Sequence, residues 1–186
     1  MTDSNKKENQ RVRLTKTMFK NALIQLLSEK KIYEITIQEL CVKAELNRTT
    51  FYKHYQNVRD VLDEIEAEVL KQSKQCLEQI DISKESTIIM SINCFLCYVK
   101  ENAGTYRLLL NPYNDFSNKL LSPALILLND ATEKLPNYNA ENKTYLYEYI
   151  LSGSMTLIRN WLFSNTVEPP EVIAKQVYEM AVKLMK

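Results

Sequence analysis

Between Ile35 and Asp60 the stretch ITIQELCVKAELNRTTFYKHYQNVRD places two helix-start signals in close succession. Thr36 followed by Glu39 is a capping box, in which hydroxyl and carboxylate satisfy each other's backbone N–H groups at a helix start. The helix it opens sets Ile37, Leu40, Cys41 and Ala44 on one stripe at helical spacing. It should end near Glu45-Leu46, and Asn47 is then placed to cap a second helix, NRTTFYKHY. Phe51 and Tyr55, four apart, face inward with Leu46, which leaves Arg48, Thr49, Tyr52 and Lys53 outward and Thr50 half-buried by phase. A short helix, a tight turn and a second helix with a polar outer face describe a helix-turn-helix. The second helix of that motif lies in the major groove of duplex DNA.

The remaining chain favours helices throughout. Only Gly104 and Gly153 are glycines among 186 residues, with five prolines. That scarcity excludes glycine-rich phosphate loops and points to an all-α fold. No apolar run reaches the length of a membrane span, and MTDSNKKENQ lacks a hydrophobic secretory core, so a cytoplasmic location is expected. In a reducing compartment Cys41, Cys76, Cys94 and Cys97 are not a disulfide framework. Cys94-x-x-Cys97 resembles half of a zinc site, but no second pair exists and His54, the only histidine, is distant in sequence. No metal or cofactor is expected. Residues 1–60 hold 12 Lys and Arg against 7 Asp and Glu, a net of +5, while the rest carries −4. A basic head on an acidic body suits nucleic-acid binding by the head.

Residues 1–12 are polar with no apolar period and are read as a mobile basic arm. Lys6, Lys7, Arg11 and Arg13 can lie along a DNA backbone or enter a minor groove. A solvated tail accounts for the same composition. Thr15 opens a helix with Phe19, Ala22, Leu23, Leu26 and Leu27 on one face, and Lys30-Lys31 ends it with cations suited to the helix dipole. It supports the two motif helices, so residues 13–60 form a three-helix head. Asn57 caps the next helix, with Asp60 at its third position, and Val61, Leu62, Ile65, Val69 and Leu70 continue a stripe to roughly Gln79.

Residues 61–186 read as a helical regulatory and dimerisation domain. From Ser83 to about Asn102, Ile88, Ile92, Phe95 and Val99 lie nearly opposite Met90, Cys94 and Cys97, which predicts a central helix buried on both sides. Asn102-Ala-Gly104 is a helix stop. A short turn at Tyr106–Leu110 follows, then an interruption at Pro112 and a helix from about Ser117 to Lys134, kinked or restarted at Pro123. The last two helices, about 141–164 and 169–185, carry surplus apolar surface and predict a homodimer interface, with Ser152-Gly153-Ser154 allowing close approach.

The run I-T-I-x-E-L-C-x-x-A-x-L-x-x-T-T-F-Y-x-H-Y-x-N resembles the DNA-binding signature of TetR/AcrR-type transcriptional regulators, over roughly Thr15 to Leu70. The resemblance implies a homodimer on a near-palindromic DNA operator, with a small-molecule effector in the helical body. It also implies that the helix after Asn57 links head to body. The family usually has a Lys at the position of Val58, where it anchors a phosphate; Arg59 stands beside it as a substitute. His54 matches a family position that sometimes touches DNA. YILSGSMTLIRNWL resembles the dimer-forming end of one bacterial branch.

Phosphate contacts give affinity and base-edge contacts give sequence choice. Thr36 begins a helix whose free N–H groups attract an anion, a role that coexists with plain capping. Arg48, in the first turn of the second helix, can pair with guanine O6 and N7. Thr49 can meet a thymine methyl or a phosphate, Tyr52 a phosphate through its hydroxyl, and Lys53 the backbone. Thr50 caps or packs, and Gln38 reaches a base or phosphate, or only solvent. In the body, Met90, Cys94, Cys97, Tyr98, Met155 and Trp161 are candidates for an effector site, although aromatic stripes at helical spacing more often form plain core. Cys94 and Cys97, one turn apart, are either a thiol switch or inert thiols.

Three functions compete. A ligand-responsive DNA-binding regulator, a repressor by preference, fits the helix-turn-helix, the basic head and the helical body. A regulator-like co-activator working through a protein partner fits the absence of a basic residue at Val58. An enzyme fits nothing: there is no nucleophile–base arrangement, metal cluster or phosphate loop.

Overall fold

The computed structural model describes residues 3–78, 80–81, 83–110, 116–131 and 140–185. Among them are nine α-helices and no strand: α1 (Asp3–Leu27), α2 (Ile37–Lys43), α3 (Arg48–Tyr52), α4 (Val58–Leu77), α5 (Glu85–Glu101), α6 (Ala103–Leu109), α7 (Phe116–Ala131), α8 (Ala140–Phe163) and α9 (Pro170–Met185). The chain divides into two compact units, Met1–Glu68 and Val69–Lys186, and the division falls inside α4. The first turns of α4 belong to the head because Val61, Leu62 and Ile65 are buried there. Glu64 accepts from both Lys16 and Lys20 of α1 at 2.9 Å.

In the N-terminal unit an aromatic cluster joins α1 to α3. Phe19 meets Phe51 edge-on at 5.4 Å and Tyr55 at 6.1 Å, and both Phe rings are fully buried. Leu23, Leu40 and Cys41 complete the core. α1 begins at Asp3, so residues 3–12 are helical rather than a mobile arm, and Thr15 does not open the helix. Lys, Glu and Gln are good helix formers, and a helix anchored by packing at Phe19 propagates outward at little cost. It also stops at Leu27, before Lys30-Lys31; Lys31 instead precedes a 3-10 turn over Ile32–Glu34.

The turn between α2 and α3 has a feature that spacing did not reveal. The Leu46 N–H donates to Cys41 O at 3.0 Å and the Glu45 N–H to Val42 O at 3.1 Å, the paired bonds of a Schellman cap. Glu45 therefore sits at φ 55°, a position that favours glycine. The left-handed conformation costs an ordinary residue roughly 1–2 kcal/mol, against about 0.5–1 kcal/mol of added entropy cost for glycine. Glu45→Gly is therefore expected to raise stability by up to about 1 kcal/mol in urea unfolding. A loss of stability would show that the Glu45 side chain contributes more than its backbone costs.

In the C-terminal unit α5 packs against α8 and α9, and α7 against α8. Leu96, Val99, Tyr106, Phe116, Tyr147, Leu162 and Ala174 are buried between them. The expectation that α5 is buried on both sides is corrected, since Met90, Cys94 and Cys97 are exposed. Periodicity counts apolar residues on each face, not the helices available to cover them. α6 is a helix rather than a turn, beginning at Ala103 directly after Asn102 ends α5, and α7 continues through Pro123. Arg107 of α6 donates to Leu162 O at 3.0 Å and 3.2 Å, fastening the end of α8. Gly153 has open space where a Cβ would stand and is exposed, so it meets no close neighbour within this chain. Pro112, Gln79, Lys134 and the side chains of Lys6 and Lys7 lie outside the described residues.

Candidate nucleic-acid interface

α2 is positioned by its N-terminal cap. Thr36 Oγ1 accepts from the Glu39 N–H at 3.2 Å, while Glu39 Oε2 accepts from the Thr36 N–H and hydroxyl at 2.9 Å each. Lys30 Nζ donates to the other carboxylate oxygen at 2.5 Å. The anion expected at this helix start therefore has a local competitor: the Glu39 carboxylate already occupies Thr36's donors. The Lys30 bond, then the Thr36 backbone and hydroxyl donors, hold the Glu39 carboxyl at about 2, below its ordinary 4.5. A depressed folded-state pKa gives stability that is complete above the unfolded value and lost as pH falls towards the folded one. Glu39→Gln is expected to flatten part of the fall in melting temperature between about pH 4.5 and 2. Parallel wild-type and variant curves in that window would remove Glu39 from the acid response.

α3 is capped by Asn47, whose Oδ1 accepts from the Thr50 N–H at 2.7 Å. The buried Phe51 and Tyr55 fix its rotation, and Arg48, Thr49, Tyr52 and Lys53 are exposed while Thr50 and His54 are half-buried. Tyr52 is 60% exposed, although its ring also meets Phe51 edge-on at 5.6 Å. Arg48 Nη2 donates to Gln38 Oε1 at 2.9 Å, which joins the first turn of α3 to the outer face of α2. An arginine held by a glutamine keeps its remaining donors in a fixed plane, the geometry that a guanine edge requires. The spacing of the two residues did not foretell this pair.

Arg59 has partners within its own helix. Its Nε donates to Asp63 at 2.7 Å and its Nη2 to Glu66 at 3.2 Å, because both acids follow it along α4 at helical spacing. Val58, at the position where the resembled family has its basic residue, is buried. Tyr33, which the sequence reading passed over, is 75% exposed in the 3-10 turn, with Lys31 Nζ 5.8 Å from its ring centre. An aromatic residue between Lys31 and Glu34 was the available signal.

A separate feature belongs to the C-terminal unit. A cavity of about 400 Å³ is lined from α4, α5, α7, α8 and α9 by residues including Leu77, Phe95, Leu121, Met155 and Val177. Among the described residues its polar lining is Ser73, Ser91, Ser154 and Tyr178, and none that lines it is charged. Ser73 and Ser154 direct their hydroxyl protons to the carbonyls of Val69 and Ile150 at 2.8 and 2.7 Å. Burial, then the nearby Glu85 carboxylate, raise the Tyr178 hydroxyl above its usual range. Of the six effector candidates only Met155 lines the cavity. Trp161 instead donates its indole N–H to Glu168 O at 2.9 Å across the α8–α9 turn, and Tyr98 packs edge-on against Tyr106 at 6.0 Å. Met90, Cys94 and Cys97 are exposed outside it. Among the described residues no group of three or more His, Cys, Asp and Glu is arranged to hold a metal, and no helix is long and apolar enough to cross a membrane.

Residues 86–183, more than half of the chain, match the TetR-type family described as a transcriptional regulator C-terminal region. An HTH-type transcriptional regulator of Bacillus subtilis, YxbF, is 27% identical over 173 residues, covering 87% of this chain. The chain spans 43% of that relative's length. A TetR transcriptional regulator from Streptococcus agalactiae has a similar fold, with a TM-score of 0.64 at 21% identity over 94% of this chain and 97% of its own. So has the fatty acid degradation regulator FadR from Bacillus halodurans, with 0.64 at 15% identity over 90% and 94%. A TetR-family protein from Syntrophomonas wolfei reaches 0.67 at 14% identity over 92% and 94%.

Proposed function

This chain belongs to the TetR family of transcriptional regulators, and from that premise we propose that it is a cytoplasmic, homodimeric repressor released from its operator by an uncharged, mainly apolar effector. The observation that carries the DNA-reading part is the Arg48–Gln38 pair on the exposed side of α2 and α3. Arg48 reads a guanine, Gln38 holds it in plane, Thr49 and Tyr52 add methyl and phosphate contacts, and Lys53 neutralises the backbone. Thr36, Thr50 and His54 support the two helices, and Arg59 serves mainly within α4. Two heads meet half-sites about one helical turn, roughly 34–36 Å, apart.

The exposed apolar residues Tyr145, Tyr149 and Phe163 of α8 and Met180 and Leu184 of α9 support pairing through those helices with a second copy. A dimer mass by light scattering tests that part. The DNA reading is tested by fluorescence anisotropy on the duplex upstream of the coding region, with a scrambled duplex alongside, across a salt series. The expected preference is about 10³-fold or more. Equal, weak and steeply salt-dependent binding to both duplexes would overturn sequence reading by this head at that site.

The cavity's chemistry supports an uncharged, mainly apolar effector. A volume of about 400 Å³ falls within the ~300–1,000 Å³ range of small-molecule sites. With no charge among the described lining residues, it penalises an ionised ligand, whose desolvation they do not repay. Serine oxygens whose protons are already directed to helix carbonyls accept hydrogen bonds from a ligand hydroxyl or N–H. The neutral dye N-phenyl-1-naphthylamine is therefore expected to bind roughly tenfold or more tightly than its anionic sulfonate analogue. Met155→Trp should fill the space and weaken the neutral dye by a similar factor without unfolding the chain. Equal binding of the two dyes would defeat the uncharged-ligand reading, and undiminished binding by the variant would move the site elsewhere.

A further inference from the structure

The sulfurs of Cys76 on α4 and Cys94 on α5 face each other 2.8 Å apart, the only approach between two different helices among the free thiols described here. Cys76 is buried, whereas Cys94 is exposed, as is Cys97 one turn further along α5. This is an asymmetric pair: one thiol reaches solvent and the other waits behind it. We propose that Cys76 and Cys94 form an oxidation-sensitive site, in which a peroxide converts the pair into a disulfide that ties α4 to α5 beside the cavity.

The chemistry balances with a hydroperoxide as oxidant. The Cys94 thiolate attacks one peroxide oxygen, the O–O bond breaks, and the departing alkoxide or hydroxide takes a proton, leaving Cys94 as a sulfenic acid. The Cys76 sulfur then attacks the Cys94 sulfur, an S–S bond forms, and hydroxide leaves as water with the Cys76 proton. Two thiols lose two electrons in total, and the peroxide gains them. Burial, then the hydrogen bond to Cys94 and the nearby sulfur of Cys97, push the Cys76 thiol up to about 12. Cys76 therefore remains protonated beside the Cys94 sulfur, so the exposed Cys94 attacks the peroxide first and the buried thiol resolves it.

The sulfurs need to move less than 1 Å to reach the bond length of about 2.05 Å. Ser73 and Leu77 flank Cys76, and Ser91, Ile92 and Phe95 flank Cys94, and all five line the cavity. A covalent tie at this point fixes the α4–α5 wall and changes how well a ligand fits. In reducing surroundings such a bond is transient, which is the property of a sensor rather than of a structural crosslink.

The test uses the full-length reduced protein treated with hydrogen peroxide and mapped by mass spectrometry of unreduced peptides. The expected product is an intramolecular Cys76–Cys94 linkage, with two thiols lost and both restored by dithiothreitol. Cys94→Ser should abolish it, Cys97→Ser should leave it intact, and Cys76→Ser should leave Cys94 trapped as sulfenic or sulfinic acid. Cys94→Ser alters an exposed position, so it decides the outcome even if the buried Cys76→Ser variant misfolds. A dominant Cys94–Cys97 bond, an intermolecular bond, or irreversible oxidation of wild-type Cys94 would overturn the assignment. Oxidised protein carrying the Cys76–Cys94 bond should bind N-phenyl-1-naphthylamine with an affinity changed at least threefold; identical affinity would break the link to the cavity.

Discussion

Arg48→Ala is expected to weaken binding to the cognate operator by roughly 5- to 150-fold while changing affinity for random duplex by no more than a phosphate contact would. The range corresponds to about 1–3 kcal/mol for one bidentate arginine–guanine pair, and a random duplex offers no fixed guanine to lose. Gln38→Ala should reproduce part of that loss, because it releases the guanidinium that Gln38 holds at 2.9 Å without removing it. Lys53→Ala provides the contrast, with both duplexes weakened by similar factors and the salt slope reduced by about one. Anisotropy titrations on the two duplexes separate the three variants. If Arg48→Ala weakened both duplexes equally, Arg48 would be a phosphate anchor and the base-reading role would fall to another side chain.

Phe51→Ala is expected to cost about 3–5 kcal/mol, the range for emptying a fully buried aromatic site. Phe51 is 0% exposed and lies between the Phe19 ring at 5.4 Å and the Tyr55 ring at 5.7 Å, so the cavity left behind is bounded by rigid rings that collapse poorly. Edge-on aromatic pairs add roughly 0.5–1.5 kcal/mol beyond buried area, and that term is lost too. Since domains are stable by only about 5–15 kcal/mol, the head should be largely unfolded in mild urea and DNA binding should vanish with it. Phe51→Leu, which keeps most of the volume, should retain binding. A loss below about 1 kcal/mol for Phe51→Ala in urea unfolding would mean that α3 is held by something other than this cluster.

These two residues also mark where sequence reasoning was strong. Phe51 and Tyr55 stand four apart beside a polar set at the complementary positions, and a helix of this length has one way to bury the first pair. The cap of α2 is equally local, since Thr36 and Glu39 satisfy each other within one turn. Local geometry was therefore legible. Less visible were events that depend on a neighbour: the Arg48–Gln38 bond across the turn, the pairing of Arg59 with Asp63 and Glu66, and the left-handed Glu45. Acids placed along α4 were the available hint for Arg59, but they read first as solvated charge.

The effector candidates show the same limit in the C-terminal unit. Met155 reached the cavity, while Trp161, Tyr98, Met90, Cys94 and Cys97 did not. Choosing residues by aromatic or sulfur content cannot separate a cavity wall from a packed core, since both demand apolar side chains. Ser73, Ser91 and Ser154, which give the cavity its polar points, have no distinguishing spacing at all.

What the sequence by itself determined is the all-helical class, the helix-turn-helix with its caps, and the outward set on α3. Helix periodicity and capping act within a few residues of chain, and each is encoded where it operates. The tertiary structure alone decided which face of α5 is covered, which residues enclose the 400 Å³ cavity, and that Cys76 meets Cys94 rather than leaving Cys94 to pair only with Cys97. Those outcomes depend on which helices pack side by side. Residues far apart in the chain become neighbours only through the summed burial of many side chains, and no single spacing records that sum.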